Sequence, residues 1–208
     1  STLLASSAAS DVYKRQEYTL VAVADYVLKH TPGNTVSNLS SSRALKDVTE
    51  AYGQQYHAAA VGEVNVVAEM KRTHSVIGGE GNGGVIYPES HYGRDALVGV
   101  GLFLSHYVAQ SKKMTELKST YPPYFISKNK MTLSPDMDVD KILEGLKERY
   151  ATEKVTDIDG VKIDFAQGWV HLRKSNTEPI IRIYSEAKDE AAANQLAEEV
   201  IAAAKSTF

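Results

Sequence analysis

Arg173-Lys174-Ser175-Asn176-Thr177-Glu178-Pro179 lies between two apolar, strand-like runs near the C-terminal end of the sequence. A strand that runs into this string and a strand that leaves it make a hairpin, and proline closes the turn. The side chains are those that hold a phosphate. A guanidinium offers a planar fork to phosphate oxygens. Ser175, Thr177 and Asn176 add neutral donors, and Arg182 sits in the departing strand. A merely polar hairpin has the same outline, and the string alone leaves both readings open.

A second string narrows the choice. Gly78-Gly79-Glu80-Gly81-Asn82-Gly83-Gly84 follows a short apolar run, Ser75 to Ile77. Gly79, Gly81 and Gly84 formally fit a dinucleotide fingerprint, but that motif needs a helix to open at its last glycine. Val85-Ile86-Tyr87-Pro88 follows instead, which reads as the end of a strand. No Gly-Lys-Ser/Thr is present, so a Walker loop is excluded.

Together the two strings resemble the α-D-phosphohexomutases. Arg-x-Ser-Asn-Thr-Glu-Pro resembles their phosphate-binding loop. The glycine string resembles their Gly-Glu-x-Ser-Gly sugar loop, with Asn82 in place of the usual serine. The order of the two loops is also the family's, and the likeness runs from about Glu17 to the end of the chain. The resemblance implies sugar contacts from Glu80 and Asn82, and from Glu63, which lies in Val61-Gly62-Glu63 where the family turns a loop toward the sugar. It implies phosphate contacts from Arg173, Ser175, Asn176, Thr177 and Arg182. Arg94 is not counted among the phosphate ligands.

The resemblance also implies a mechanism and a division of labour. Family members move a phosphoryl group between the 1- and 6-positions of a hexose through a phosphoserine in a first domain. A Mg²⁺ ion held by an Asp-x-Asp-x-Asp-Arg loop of a second domain assists, and a hexose 1,6-bisphosphate serves as activator. Neither loop occurs here. Asp136-Met137-Asp138-Val139-Asp140 lacks the closing arginine and precedes a helical stripe, where carboxylates favour a helix N-terminus. The serine run Ser40-Ser41-Ser42 falls at a strand end rather than at a nucleophile loop. No catalytic and no metal-binding residue is therefore expected in this chain, which reads as the third and fourth domains of such an enzyme, inactive alone. Its expected partners are a phosphosugar and the missing N-terminal domains. The residues around Gly79 to Asp95 are closest to bacterial phosphoglucosamine mutase-like sequences. That places glucosamine phosphate first, with glucose and mannose phosphates as competitors. A natural, non-catalytic phosphosugar-binding module is the alternative.

Composition agrees with a globular protein. The chain has 208 residues, 43% of them hydrophobic, and a net charge of −3 with acids and bases interspersed. Such a balance argues against a general nucleic-acid or membrane surface. The absence of cysteine excludes disulfides and thiolate catalysis and is compatible with the cytoplasm. No segment approaches the roughly 18–20 apolar residues of a membrane helix.

Residues 1–16 have neither the charge nor the apolar run of a signal peptide and are set aside as a non-native or disordered leader. Residues 17–121 are expected to form an α/β domain with a mixed sheet. Helices are read over Glu17–His30, Ser41–Gly53, Val64–Lys71 and Asp95–Gln110, and strands over Thr35–Leu39, Gln55–Val61 and Ser75–Ile77. Tyr121-Pro122-Pro123-Tyr124 marks the boundary, since proline forces extended backbone before it. Residues 122–208 are expected to form an α+β domain with an antiparallel sheet. Strands are read over Phe125–Leu133, Thr156–Asp159, Val161–Phe165, Trp169–Arg173 and Ile180–Ser185, with one helix before Tyr150 and an alanine-rich one over Asp189–Lys205. The resemblance gives this second domain a TATA-binding-protein-like fold.

Overall fold

A computed structural model describes residues 17–134, 137–175 and 177–206. The chain divides after Pro123 into two compact units.

The first unit opens with helix α1 (Glu17–His30). Its sequence-read stripe of Leu20, Val23, Ala24, Val27 and Leu28 is buried, as are Tyr18, Val21 and Ala22. Strand β1 (Thr35–Asn38), helix α2 (Ala44–Ala51), strand β2 (Tyr56–Ala59), helix α3 (Glu63–Thr73) and strand β3 (Ile77–Glu80) then alternate, and β4 (Gly84–Ile86) turns back on β3. Helices α4 (Ala96–Gln110) and α5 (Met114–Ser119) complete the unit. The strand order is β2-β1-β3-β4, parallel except for β4. Parallel neighbours need a crossover connection, here supplied by helices. Beneath them Val36, Ala59, Val66, Met70 and Ile86 form a core.

One strand of this unit differs from the sequence reading for a physical reason. The strand entering the glycine loop is not Ser75–Ile77 but Ile77–Glu80, with two glycines inside it. Glycine is a poor strand residue, but this strand needs it. A Cβ at Gly78 would meet the sulfur of Met70 and the carbonyl oxygen of Val36, and one at Gly79 would meet the carbonyl oxygen of Gly84. Short helix α5 had no reading at all.

The second unit contains β5 (Phe125–Thr132), α6 (Val139–Arg149), β6 (Lys154–Thr156), β7 (Val161–Asp164), β8 (Gly168–Lys174), β9 (Ile180–Ala187) and α7 (Glu190–Lys205). Its sheet, ordered β5-β9-β8-β7-β6, is antiparallel throughout. Side chains alternate between the two faces of a strand. One face carries Val161, Ile163, Val170, Leu172, Ile181 and Ile183. They pack with Ile142 and Leu146 of α6 and Leu196 and Val200 of α7 into one core. Strand β6 is Lys154–Thr156 rather than Thr156–Asp159. Its register, Lys154 with Asp164 and Thr156 with Lys162, leaves four residues, Asp157 to Gly160, for the turn.

Asp138, Asp95 and Asp189 are N-caps of α6, α4 and α7. Asp138 accepts from the backbone N–H groups of Asp140 and Lys141, the helix-start role its position implied. Asp136 lies outside the described residues, as does the leader of residues 1–16.

Candidate phosphosugar site

In an open sheet, ligands lie beyond the carboxyl ends of parallel strands. Here those ends carry the polar side chains of the first unit. Asn38 ends β1 and Ser41 follows it, Gly62 and Glu63 follow β2, and Glu80 ends β3 with Asn82 in the turn after it.

Glu80 is the centre of the cluster. It is only 5% exposed. Its Oε1 accepts from Asn38 Nδ2 at 2.9 Å and from the Gly62 backbone N–H at 3.3 Å, and its Oε2 accepts from Arg94 Nη1 at 3.1 Å. An ionised carboxylate has about four acceptor positions, so these bonds orient the group and leave little of it unengaged. Arg94 also binds Glu63: its backbone N–H donates to Oε1 at 3.0 Å and its Nε to Oε2 at 2.8 Å. These two bonds from Arg94, the backbone one first, hold the Glu63 carboxyl below its ordinary range. The structure thus brings Glu63 and Glu80 together through Arg94, which sequence reasoning left without a role.

The turn between β3 and β4 is Gly81-Asn82-Gly83. Asn82 is exposed, and its Oδ1 accepts from the Gly84 N–H at 3.0 Å, so its amide is fixed at the rim of the turn. Gly81 donates to Ser41 Oγ at 2.8 Å, and Ser41 donates in turn to Asn38 Oδ1 at 2.9 Å. A Cβ at Gly81 would strike the carboxylate of Glu17, which is buried and accepts from the Ser42 N–H at 3.1 Å. The serine run therefore supports the glycine turn from the end of β1. Glu17, Asn38 and Ser41 were not read as site residues.

The second loop is the hairpin between β8 and β9. It closes where the Ser175 N–H donates to the Ile180 carbonyl at 3.0 Å. Ser175 is buried, and Thr177 and Glu178 are exposed. Asn176 lies outside the described residues. Arg173 and Arg182 face each other directly across the ladder, and Lys130 of β5 is the next partner of Arg182. All three share the face opposite the helices. Arg182 Nη2 donates to Glu178 Oε2 at 2.9 Å. The Nε of Arg173 is buried and has no hydrogen-bond partner among the described residues. A buried donor without an acceptor costs about 1–3 kcal/mol, and the fork of a guanidinium matches the oxygens of a phosphate or a carboxylate.

Among the described residues no group of three or more His, Cys, Asp or Glu side chains is placed to hold a metal ion. The described residues thus offer no ligand set for the Mg²⁺ that the resemblance assigns to another domain. No helix of the described residues is long and apolar enough to cross a membrane.

Comparison with known proteins agrees with both units. Residues 15–124 match the model for phosphoglucomutase/phosphomannomutase alpha/beta/alpha domain III, and residues 128–203 match that for the phosphoglucomutase/phosphomannomutase C-terminal domain. A phosphoglucosamine/phosphogalactosamine mutase of Sulfurisphaera tokodaii is 36% identical over 79% of this chain and 37% of its own length. A phosphoglucomutase/phosphomannomutase of Thermococcus kodakarensis is 37% identical over 86% of this chain and 40% of its own. The crystal structure of a phosphoglucomutase/phosphomannomutase family protein from Burkholderia thailandensis has the same fold. It superposes with a TM-score of 0.76 at 22% identity, over 93% of this chain and 42% of that one. The chain spans about two fifths of the length of the curated relatives it matches. With both of its units matched in the family's order, the chain belongs to the phosphoglucomutase/phosphomannomutase family and comprises its third and C-terminal domains.

Proposed function

We propose that this chain holds the substrate for a phosphohexomutase. On this reading it binds a hexose phosphate while a phosphoserine elsewhere in the full-length enzyme gives and takes the phosphoryl group. The single observation that carries the reading is the Arg173–Arg182 pair, with the buried Nε of Arg173 lacking an acceptor among the described residues. Phosphoryl transfer depends mainly on positioning and on neutralising charge. The β8–β9 loop grips whichever phosphate is not reacting, through Arg173, Ser175, Asn176, Thr177 and Arg182. The cluster of Glu80, Glu63 and Asn82 reads the hydroxyls of the sugar.

A mutase must accept its substrate in both orientations. A clamp that recognises only phosphate suits that requirement, and so does a separate loop that recognises only hydroxyls. Glucosamine phosphate is the first candidate substrate, supported by the similarity to a phosphoglucosamine/phosphogalactosamine mutase, with glucose and mannose phosphates next. Mg²⁺ and a hexose 1,6-bisphosphate belong, on this reading, to the work of the whole enzyme in the cytoplasm.

The test is calorimetric titration of the chain with glucosamine 6-phosphate, glucose 6-phosphate and inorganic phosphate. Arg173→Ala is expected to weaken all three by a similar factor of about tenfold or more, as for the loss of a charge-assisted bond. Arg173→Lys should recover part of the loss, because the charge remains and the fork does not. Equal affinity in the wild-type and Arg173→Ala chains would reduce the loop to a polar hairpin.

A further inference from the structure

Lys130, Arg182 and Arg173 are consecutive cross-strand partners over β5, β9 and β8, and they stand in a row on one face of the sheet. Like charges directly opposite one another destabilise a ladder unless an anion stands among them. The row has such an anion in Glu178. Its Oε2 accepts from Arg182 Nη2 at 2.9 Å, and the two side chains are 50% and 33% exposed. Of the three cations in the row Glu178 reaches Arg182, and the Nε of Arg173 is left without a partner among the described residues.

We propose that Glu178 is a displaceable counter-ion of the phosphate clamp: it occupies Arg182 while the loop is empty and yields that arginine to an incoming phosphoryl group. A phosphate arriving at the unpaired Nε of Arg173 meets Arg182 directly across the ladder. With about two negative charges, it outcompetes a single carboxylate whose hold is weakened by solvent, since exposed ion pairs contribute little. Glu178 therefore sets the affinity of the clamp. It keeps the arginine row neutralised between turnovers, and it prevents the phosphate from binding so tightly that the intermediate cannot turn over and leave. This inference rests on the reading of the loop as a phosphate clamp.

The experiment compares inorganic phosphate and glucose 6-phosphate binding, at pH 8 and low salt, to the wild-type chain and to Glu178→Gln, Arg182→Ala and the double variant. Glu178→Gln is expected to bind about two- to fivefold more tightly, the effect of removing a competing exposed ion pair. In the Arg182→Ala background the same change should give no gain. In wild type, the carboxyl carbon resonance of Glu178 should shift as phosphate saturates the site. Equal or weaker binding by Glu178→Gln, a gain that persists without Arg182, or an unmoved Glu178 resonance would each overturn the inference. If wild type binds through Arg173 but Glu178→Gln gains nothing, the counter-ion role alone falls. If wild type takes up no phosphate, the clamp reading falls and this inference falls with it.

Discussion

Arg94 joins two carboxylates that lie at the ends of neighbouring strands, donating to Glu80 from Nη1 at 3.1 Å and to Glu63 from Nε at 2.8 Å. The Glu80 end is buried and the Glu63 end is partly open to solvent. Arg94→Ala would leave Glu80 buried without its cation. Hydrogen bonds to charged groups contribute about 1.5–3 kcal/mol, and Arg94 is itself 43% exposed, so solvent lowers the figure. A loss of about 1–2 kcal/mol is expected in urea unfolding of the first unit, with Arg94→Lys recovering part. An unchanged midpoint for Arg94→Ala would show that the bridge contributes nothing to the site's order.

Glu80→Ala should weaken discrimination between hexose epimers more than it weakens binding of inorganic phosphate. If Glu80 reads the sugar as proposed, removing its carboxylate leaves a sugar hydroxyl unpaired, at about 1–3 kcal/mol. It also strips the Asn38 amide and the Gly62 N–H of their acceptor, so the loop itself will loosen. Glu80→Gln keeps the shape and one acceptor, and it separates the two effects. The check is the ratio of affinities for glucose, mannose and glucosamine 6-phosphates in each variant. Ratios equal to wild type in both would remove Glu80 from sugar recognition.

What the sequence made legible were groups whose chemistry lies within one short string. Arg173, Ser175 and Thr177 lie on one hairpin, and Glu80 and Asn82 on one turn. What it hid were groups joined across the fold. Asn38 meets Glu80 from 42 residues away, and Ser41 meets Gly81 from 40, because parallel crossovers bring strand ends side by side. The serine run was visible, but its role as a prop for the glycine turn depends on the β1–β3 ladder. Arg94 was visible too, and needed both Glu63 and Glu80 in place before it had a function. The extent of β3 is not legible in the sequence, because glycine's low strand propensity says nothing of the close approaches that require it.

The chain alone is expected to show no mutase turnover with glucosamine 6-phosphate, glucose 1-phosphate or mannose 1-phosphate, even with Mg²⁺ and a bisphosphate activator. Its site-like loops supply positioning groups, and the strings that resemble the family include neither the serine nor the metal loop. Turnover that survives further purification, and disappears in Arg173→Ala, would show that this chain carries its own phosphoryl acceptor.

His171 gives the second unit a pH dependence of known sign. It is 1% exposed. Its Nε2–H donates to the Asp159 carbonyl at 2.7 Å. Burial pushes its pKa down from 6.5 to about 4, against the smaller opposing pull of that bond. Between these values the unfolded chain takes a proton that the folded chain refuses. Stability is thus complete above about pH 6.5 and falls as pH drops toward 4, by up to about 3 kcal/mol. His171→Gln keeps a donor and cannot titrate. Urea midpoints of the two proteins should converge as pH falls from 7.5 to 4.5. A difference that stays constant over this range would mean that His171 titrates alike in the folded and unfolded chains.

Gly160 ties the turn before β7 to Arg173 of β8. It has φ +66°, which side chains rarely adopt, and a Cβ there would meet the Leu172 carbonyl oxygen and, at 2.8 Å, the Cα of Arg173. Both are backbone atoms and cannot swing aside as a side chain would. Gly160→Ala must therefore push β8 outward at the residue that carries the guanidinium, or unwind the four-residue turn. Strain of this kind costs of order 1–3 kcal/mol, and the displacement falls on a fork whose fit to phosphate depends on its direction. The variant should lose stability and, under conditions where it remains folded, bind phosphate and hexose phosphates more weakly. Gly53→Ala is the control, since Gly53 shares a positive φ of 68° but has nothing within 4 Å of the added carbon. It should lose some stability and keep its phosphate affinity. If Gly160→Ala and Gly53→Ala bind phosphate equally well, the close approach of the turn to β8 does not position Arg173.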